Sequence, residues 1–558
     1  MSDVLTITLC DLPNEVFWLI ASYIHLRDVI SLRKTCKMFY YLTKDKHLWL
    51  TLLFDMGDHL PFPPAWCTEF GRVSQEILTS FSEEDLEAAA RSVHVTDTKW
   101  LNTKGPPRKL LAQLDIDPGF NFSSITGDPT SRTLLALEIF LDRWILVVYH
   151  EAIEVWDLYP CSSEDSVGLP QTKWDERSGP VIRCISERSL KVDYVTSYAS
   201  MFDAEKKRII VCLANADESH VVQLNLPPKS FELGKRVEPI LSFRTPNRAQ
   251  LVRTFDPSGT QLLYSHLQSL FLVELNTQRT YAISTGEGEE ELWSSVIGVK
   301  YMTPNHIICL KTRSVELITL SWKYTHSNDS QGGNQIHEAR TFHSHSLEHT
   351  FKETTFRGVS FSKPYVRLEQ SEEGLTACVS ISFLAYDVLR GLFHYRVNAR
   401  IAHSAHGNEV ESSIPFSLDV DMIAAHHMAE SIQRPIDPFA IERSETPTPR
   451  SGFGPGSRGF VSTCSLGPSA MRGIWVERQR NSVKRTIFGF KTLLDANHHL
   501  IADSLESREA LAEHRAIDGK CVYTVQSYDL RDDITHCALS EVTGRIVIGT
   551  RNGDVLVL

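Results

Sequence analysis

The sequence predicts an α+β multidomain chain: a small all-α module at the N-terminus, then a large all-β domain. Three observations predict it. Residues 11–55 carry large apolar side chains at helical spacing. From near residue 110 onward the pattern changes to short apolar runs of about four to eight residues separated by polar turns. The composition of the 558 residues, 42% apolar and 23% charged, is that of a folded chain and excludes wholesale disorder. The length suits roughly three to four domain-sized units.

The helical module is read first. Pro13 suits the first turn of a helix, where its missing N–H has no partner to lose, and Asp11 or Asn14 can accept backbone donors there. Val16, Leu19, Ile20, Tyr23 and Ile24 follow at i, i+3, i+4, i+7 and i+8, with Phe17 and Trp18 widening the stripe. A second helix is marked by Arg27-Asp28 with Val29, Leu32 and Cys36. A third carries Met38, Phe39 and Leu42, and Leu48-Trp49 begins a fourth. A unit below about 60 residues is marginal alone, yet this one has more large apolar side chains than it can cover. The expectation is an apolar face buried against another protein. The alternative is a helical cap packed on the rest of the same chain.

Leu12-Pro13-x-Glu15-Val16, Ile20, Tyr23-Ile24, Arg27-Asp28-Val29, Leu32, Thr35-Cys36-Lys37, Phe39 and Leu48-Trp49 resemble the F-box motif in order and spacing. Thr35 is a departure, since many members carry a β-branched apolar residue before the Cys. The resemblance implies docking onto the Skp adaptor of an SCF-type cullin-RING ubiquitin ligase. By position, Leu12, Pro13, Val16, Ile20, Val29, Leu32 and Cys36 correspond to the motif's apolar positions and are the candidate adaptor-binding residues.

Residues 56–109 read as a helical linker. Pro61-Phe62-Pro63-Pro64 is a stiff segment. Ser82-Glu83-Glu84-Asp85 before Leu86, Ala88–Ala90 and Val93 is a capped helix start with acidic residues in its first turn. Gly105-Pro106-Pro107 closes the segment. The expected division is therefore 1–55, 56–109 and 110–558.

In the third part a unit recurs: an apolar strand after a turn, then a second strand. Asp142–Val148 with Ile153–Leu158 is one copy, Asp256–Ser265 with Leu270–Leu275 another, and Gly544–Thr550 with Asn552–Leu558 a third. Asn552-Gly553 is a strong two-residue hairpin signal, because a type I′ turn needs positive φ at both positions. These units resemble WD-repeat β-propeller blades, down to Trp156-Asp157 at the close of one strand. At roughly 40–60 residues per blade, the region holds about seven degenerate blades. The final strand, ending at Leu558, is expected to close the ring by completing a blade begun near the start of the domain. A pair of β-sandwiches is the structural alternative. Residues 433–459, dense in Pro, Gly and Ser, read as a flexible insertion. Within it Thr446-Pro447 and Thr448-Pro449, flanked by Arg443 and Arg450, are candidate sites for a proline-directed kinase.

Catalytic and metal motifs are missing. There is no G-x-S-x-G, no phosphate loop and no H-E-x-x-H, and Gly286–Glu291 is too acidic to cradle phosphate. The histidines at 343, 345, 349, 403, 406, 426 and 427 have no Cys pair beside them and match no zinc spacing. No catalytic residue, cofactor or metal is expected. Net charge −12 and the lack of a Lys/Arg block argue against nucleic acid, and no apolar run is long enough for a membrane span. Eleven scattered cysteines without a C-x-x-C, and an N-terminus unlike a secretory signal, suit a reduced cytoplasmic or nuclear compartment. The expected function is a non-catalytic substrate-recognition subunit that bridges the Skp adaptor and an unidentified protein client. A propeller scaffold outside any ligase is the alternative.

Overall fold

A computed structural model describes residues 12–57, 60–63, 66, 73–101, 110–114, 133–158, 183–189, 194–226, 232–236, 238–246, 250–283, 295–326, 338–351, 354–371, 374–402, 415, 417–428, 459–480, 482–492, 516–529 and 532–558. The N-terminal part is helical as expected: α1 (Asn14–Ser22), α2 (Leu26–Leu32), α3 (Lys37–Leu42), α4 (Lys46–Gly57), α5 (Gln75–Thr79) and α6 (Glu83–Leu101). Pro13 sits one residue outside α1, where its carbonyl accepts from the Val16 and Phe17 amides at 3.1 Å. His25 caps α2, its Nδ1 accepting from Arg27 N at 3.4 Å.

The core of this module answers the problem of its size. Phe17, Ala21, Leu26, Val29, Phe39, Leu42, Leu48, Trp49 and Leu53 pack together, and Leu86, Ala89, Ala90 and Val93 of α6 complete the cluster. Arg33 ties that helix to the end of α3, donating to both carboxylate oxygens of Glu87 at 2.9 Å and to Thr43 O at 2.8 Å. Helix α6 therefore lies inside the segment read as a linker but supplies part of the small module's interior.

From residue 112 on the described strands form seven sheets. Blade 1 runs Leu134–Phe140, Trp144–Tyr149, Ala152–Asp157 and Arg183–Ser189, and blade 2 runs Ser197–Asp203, Arg208–Ala214, Glu218–Asn225 and Leu241–Arg244. Blade 3 comprises Leu251–Phe255, Gln261–His266, Ser269–Glu274 and Arg279–Ile283. Blade 4 comprises Val296–Thr303, His306–Lys311, Ser314–His326 and Glu338–Thr350. Blade 5 is built from Gly358–Phe361, Gly374–Asp387, Gly391–Ala402 and Ser417–His427, with Tyr365–Ser371 also paired to its second strand. Blade 6 is Gly459–Leu466, Arg472–Gln479, Lys484–Lys491 and Lys520–Gln526. The innermost strand of each blade touches that of the next, and Ile534–Leu539 of blade 7 returns to Leu134–Phe140 of blade 1. The result is a closed seven-bladed β-propeller.

Each interface between neighbouring blades has its own apolar cluster. This explains why second strands such as Trp144–Tyr149 read as unbroken apolar runs: they are buried on both faces. The three repeats seen in the sequence are the second and third strands of blades 1, 3 and 7. Closure follows the expected route. Ile534–Leu539, Ile546–Thr550 and Val555–Val557 make three strands of blade 7, and Ala112–Gln113 supplies the fourth, in register Ala112↔Val557 and Gln113↔Leu556. The turn departs from the two-residue type I′ expected at Asn552-Gly553: Thr550 N donates to Asp554 O at 2.9 Å around a three-residue loop, and only Gly553, at φ 92, takes positive φ.

Two features depart from the sequence reading. The outer strands of blade 4 have 13 residues each and the middle strands of blade 5 have 14 and 12, because backbone pairing continues past the apolar runs that marked them. A fifth strand, Glu232–Arg236, adds in parallel to the outer edge of blade 1. Residues 433–458 of the Pro/Gly/Ser-rich insertion, with Thr446 and Thr448, lie outside the described residues.

The first strand of each blade ends toward one face of the ring, called lower here. Turns after the second strand point to the upper face. Helix α6 docks on the lower face of blade 6. Trp100 is buried there with Ile474, Val476 and Ile487, and its Nε1 donates to Phe490 O at 3.1 Å. Asp97 accepts from Arg472 at 2.9 Å and from Lys491 at 3.5 Å. Arg472, 1% exposed, also donates to Glu541 O at 2.7 Å and lies 5.7 Å from the Trp100 ring.

Candidate functional site

Helix α1 has two apolar faces, and only one is covered. Phe17 and Ala21, four residues apart, point into the helical core. Val16, Leu19, Ile20 and Tyr23 then fall on the outer side, with Leu19 58% and Tyr23 84% exposed. Four of the five residues of the stripe read from the sequence thus face solvent, and the fifth, Ile24, packs against the helical core. The four form a ready contact surface at which Leu19 and Tyr23 have most area left to bury, Val16 and Ile20 being 39% and 37% exposed.

Most of the seven predicted adaptor-binding residues reach the surface of this module. Val16 and Ile20 are exposed within the stripe, Pro13 and Cys36 are exposed, and Leu12 is half-buried. Leu32 is half-buried against the helical core. Val29 is different. It is fully buried in the helical core, so its role is to hold the module together. Leu19 and Tyr23 belong to the exposed face although they were outside the predicted set. Tyr40 and Tyr41 are also exposed, since α3 turns Phe39 and Leu42 inward and leaves the residues between them outside.

The propeller presents a different surface. On its upper face the exposed large apolar side chains are Tyr194, Leu251, Leu267, Leu389, Val483 and Tyr528, all at turns or at strand entries. The lower face carries α6.

The titratable groups show no reactive centre among the described residues. Burial pushes the thiols of Cys212, Cys309 and Cys537 up to about 12, opposite to what a nucleophile needs. Glu541 is raised by burial, but its carboxylate accepts from Ser469 N and Oγ, Met471 N and Arg472 N, so it serves the blade 6–7 junction. Among the described residues no group of three or more His, Cys, Asp or Glu side chains is gathered to hold a metal, and no helix is long and apolar enough to cross a membrane. His345 and His349 lie exposed on an outer strand of blade 4, and His426 is 3.4 Å from Glu477.

Comparison with known proteins adds one family. The F-box-like family matches residues 9–55, the region that contains α1 to α3 and most of α4. None of the curated proteins matches the chain. Among solved structures, the β-propeller domain of Cps50 (Swd1) from Myceliophteria thermophila is 8% identical, covers 81% of this chain and 99% of its own, and gives a TM-score of 0.42. Hydrazine synthase from Kuenenia stuttgartiensis is 10% identical, over 79% and 98% of the two chains, with a TM-score of 0.36. The WD40 domain of SCAP from fission yeast is 9% identical, over 76% and 84%, with a TM-score of 0.34. At such scores these likenesses carry no argument, and the propeller rests on its own seven sheets and their closure. The chain is an F-box-like domain joined through a shared helix to a seven-bladed β-propeller.

Proposed function

We propose that this chain is the substrate-recognition subunit of an SCF-type cullin-RING ubiquitin ligase, working in the cytoplasm or nucleus. The F-box-like helices dock the Skp adaptor, and through it the cullin, while the propeller holds a protein client. The subunit supplies proximity and no reacting group: joining two binding modules raises the effective concentration of client near activated ubiquitin. The observation that carries this reading is the uncovered face of α1, Val16, Leu19, Ile20 and Tyr23, on a module of the F-box-like family. Leu12, Pro13, Leu32 and Cys36 are assigned to the same contact. The helix shared by both parts supports the reading, since it links a docking face to a propeller through packed side chains at each end.

The test is co-expression with a Skp adaptor. The wild-type chain should co-elute with it, and Val16→Asp with Ile20→Asp should abolish the complex while leaving far-ultraviolet circular dichroism unchanged, because neither side chain is in the core. An adaptor that fails to bind the wild-type chain, or binds the folded double variant equally well, removes the proposal.

A further inference from the structure

The inference concerns the central channel of the propeller and stands apart from the receptor reading. The channel wall is made by the seven inner strands, and its lower rim by the turns that follow them, 141–143, 204–207, 256–260, 304–305, 362–364, 467–471 and 540–545. All of these lie within the described residues. The inner strands carry Glu138, Asp203, Arg253 and Lys300 as their Asp, Glu, Lys and Arg side chains. Three of them are engaged. Glu138 accepts from Tyr198 OH at 2.9 Å and from Ser200 Oγ, both of the next blade. Asp203 pairs with Arg208 at 2.7 Å, and Arg253 donates to Ser265 Oγ at 2.7 Å and to Val296 O at 2.8 Å. Lys300 is half-buried, and its ammonium group makes no hydrogen bond or ion pair among the described residues.

A second ammonium group lies close to it. A Cβ at Gly298 would collide with Val359 Cγ1 and lie 3.0 Å from Phe361 Cε2, so the inner strands of blades 4 and 5 run side by side at that level. Both descend toward the lower rim. Lys300 is two residues beyond Gly298 on the same side of its strand, at the level where blade 5 passes from Phe361 to Lys363. Lys363 is exposed on the rim, its N–H donating to Pro468 O at 2.8 Å. Burial holds Lys300 below its ordinary pKa, Glu138 opposes that from across the channel, and Lys363 adds to it as a like charge.

The acids of the rim have donors of their own. Asp142 accepts from Ser540 Oγ at 2.6 Å; burial raises its pKa, and Ser540 and Lys363 work against that rise. Asp256 accepts from the Thr260 and Gln261 amides, Glu541 accepts from those of Met471 and Arg472, and Glu205 is followed by Lys206 and Lys207. An ammonium group has three donors and no acceptor. Two of them at one level of a channel are best served by a ligand that accepts from both.

We propose that the lower mouth of the channel binds a small dianion of the phosphate class between Lys300 and Lys363. Its oxygens accept from both ammonium groups, and its charge removes the repulsion between them. Glu138 and Asp142 limit the affinity by repelling the same anion.

The test uses the full chain and pyrophosphate, titrated by calorimetry at constant ionic strength. Pyrophosphate should bind in a one-to-one ratio. Lys363→Gln should weaken binding about three- to tenfold, and Lys300→Gln with Lys363→Gln at least about tenfold. Asp142→Asn, which keeps an acceptor for Ser540, should tighten it about two- to threefold. Lys44→Gln, on the helical module, should leave it unchanged. Amine acetylation read by mass spectrometry locates the site: pyrophosphate should protect Lys300 and Lys363 and leave Lys44 unprotected. Lys363 is exposed, so its single variant keeps the test if the double variant does not fold. A wild-type chain that binds no pyrophosphate, or a folded Lys363→Gln chain that binds it fully, would overturn the proposal. Equal loss with Lys44→Gln would show general attraction to surface lysines and overturn it too. Adaptor co-elution, measured on the same samples, bears on the receptor reading alone.

Discussion

Replacing Trp100 by Ala probes how the two parts of the chain are joined. Trp100, the residue before the last of α6, is buried among Ile474, Val476 and Ile487, with Ile546 and Ile548 of blade 7 in the same cluster. Truncating a buried Trp ordinarily costs about 3–5 kcal/mol. The lost Nε1 bond to Phe490 O adds about 1 kcal/mol, since that carbonyl lies at the lower face and water can reach it once the ring is gone. The loss of α6 contact also exposes Arg472 to solvent, which offsets part of its separation from Asp97. A net cost of about 4 kcal/mol, spread over a propeller of this size, corresponds to a lower melting temperature by on the order of 4 °C. Differential scanning calorimetry of the full chain measures this. Adaptor binding should be unchanged, because α1 lies at the other module. A fragment beginning at residue 110 should show the same loss, and one beginning at residue 83 should not. An unaltered melting temperature for Trp100→Ala would refute the claim that Trp100 anchors α6 in the propeller's core.

Three further outcomes are expected, two from the structure and one from the sequence. Removing Asp554–Leu558 should destabilise far beyond its length: Val555, Val557 and Leu558 are all buried, worth up to about 5–9 kcal/mol together, and Ala112–Gln113 loses the strand it pairs with in blade 7, which thermal melting and soluble yield will show. His536, whose ring nitrogen lies 3.1 Å from Leu135 O across the seam between blades 7 and 1, is held below its ordinary pKa by burial, so the fold favours its neutral form. Stability should then fall as pH drops below about 6.5, where the unfolded chain takes up the proton first, and His536→Gln should flatten that slope in urea melts. Thr446 and Thr448 should appear as phosphopeptides in mass spectrometry of the protein from cells, and their lasting absence would end that assignment.

How much of this was legible in the sequence depended on how local each signal was. The second and third strands of blades 1, 3 and 7 were readable because burial on both faces makes them apolar throughout and a tight turn separates them. Strand Glu232–Arg236 was not, because it is short, charged and joined to blade 1 from within blade 2. The far half of Ser314–His326 was missed, because Ser321, Lys323 and Thr325 interrupt the apolar pattern there. At the docking face the periodicity of α1 was correct but said nothing of which side faces out. Phe17 and Ala21 make a narrower stripe than Val16, Leu19, Ile20 and Tyr23, and it is the narrower one that is buried. The pairing of Asp97 with Arg472 joins positions far apart in the chain, and no local pattern announces it.

The central claim is that one chain carries a ligase at one end and a client at the other. Affinity purification with quantitative mass spectrometry, with and without proteasome inhibition, measures both ends at once for the wild-type chain and for Val16→Asp with Ile20→Asp. The account predicts that a Skp adaptor and a cullin accompany only the wild type, that the same client accompanies both forms, and that the client's recovery with the wild type rises when the proteasome is blocked. A wild-type chain recovered without adaptor and cullin, or a client whose abundance ignores both the substitution and the inhibitor, would contradict it.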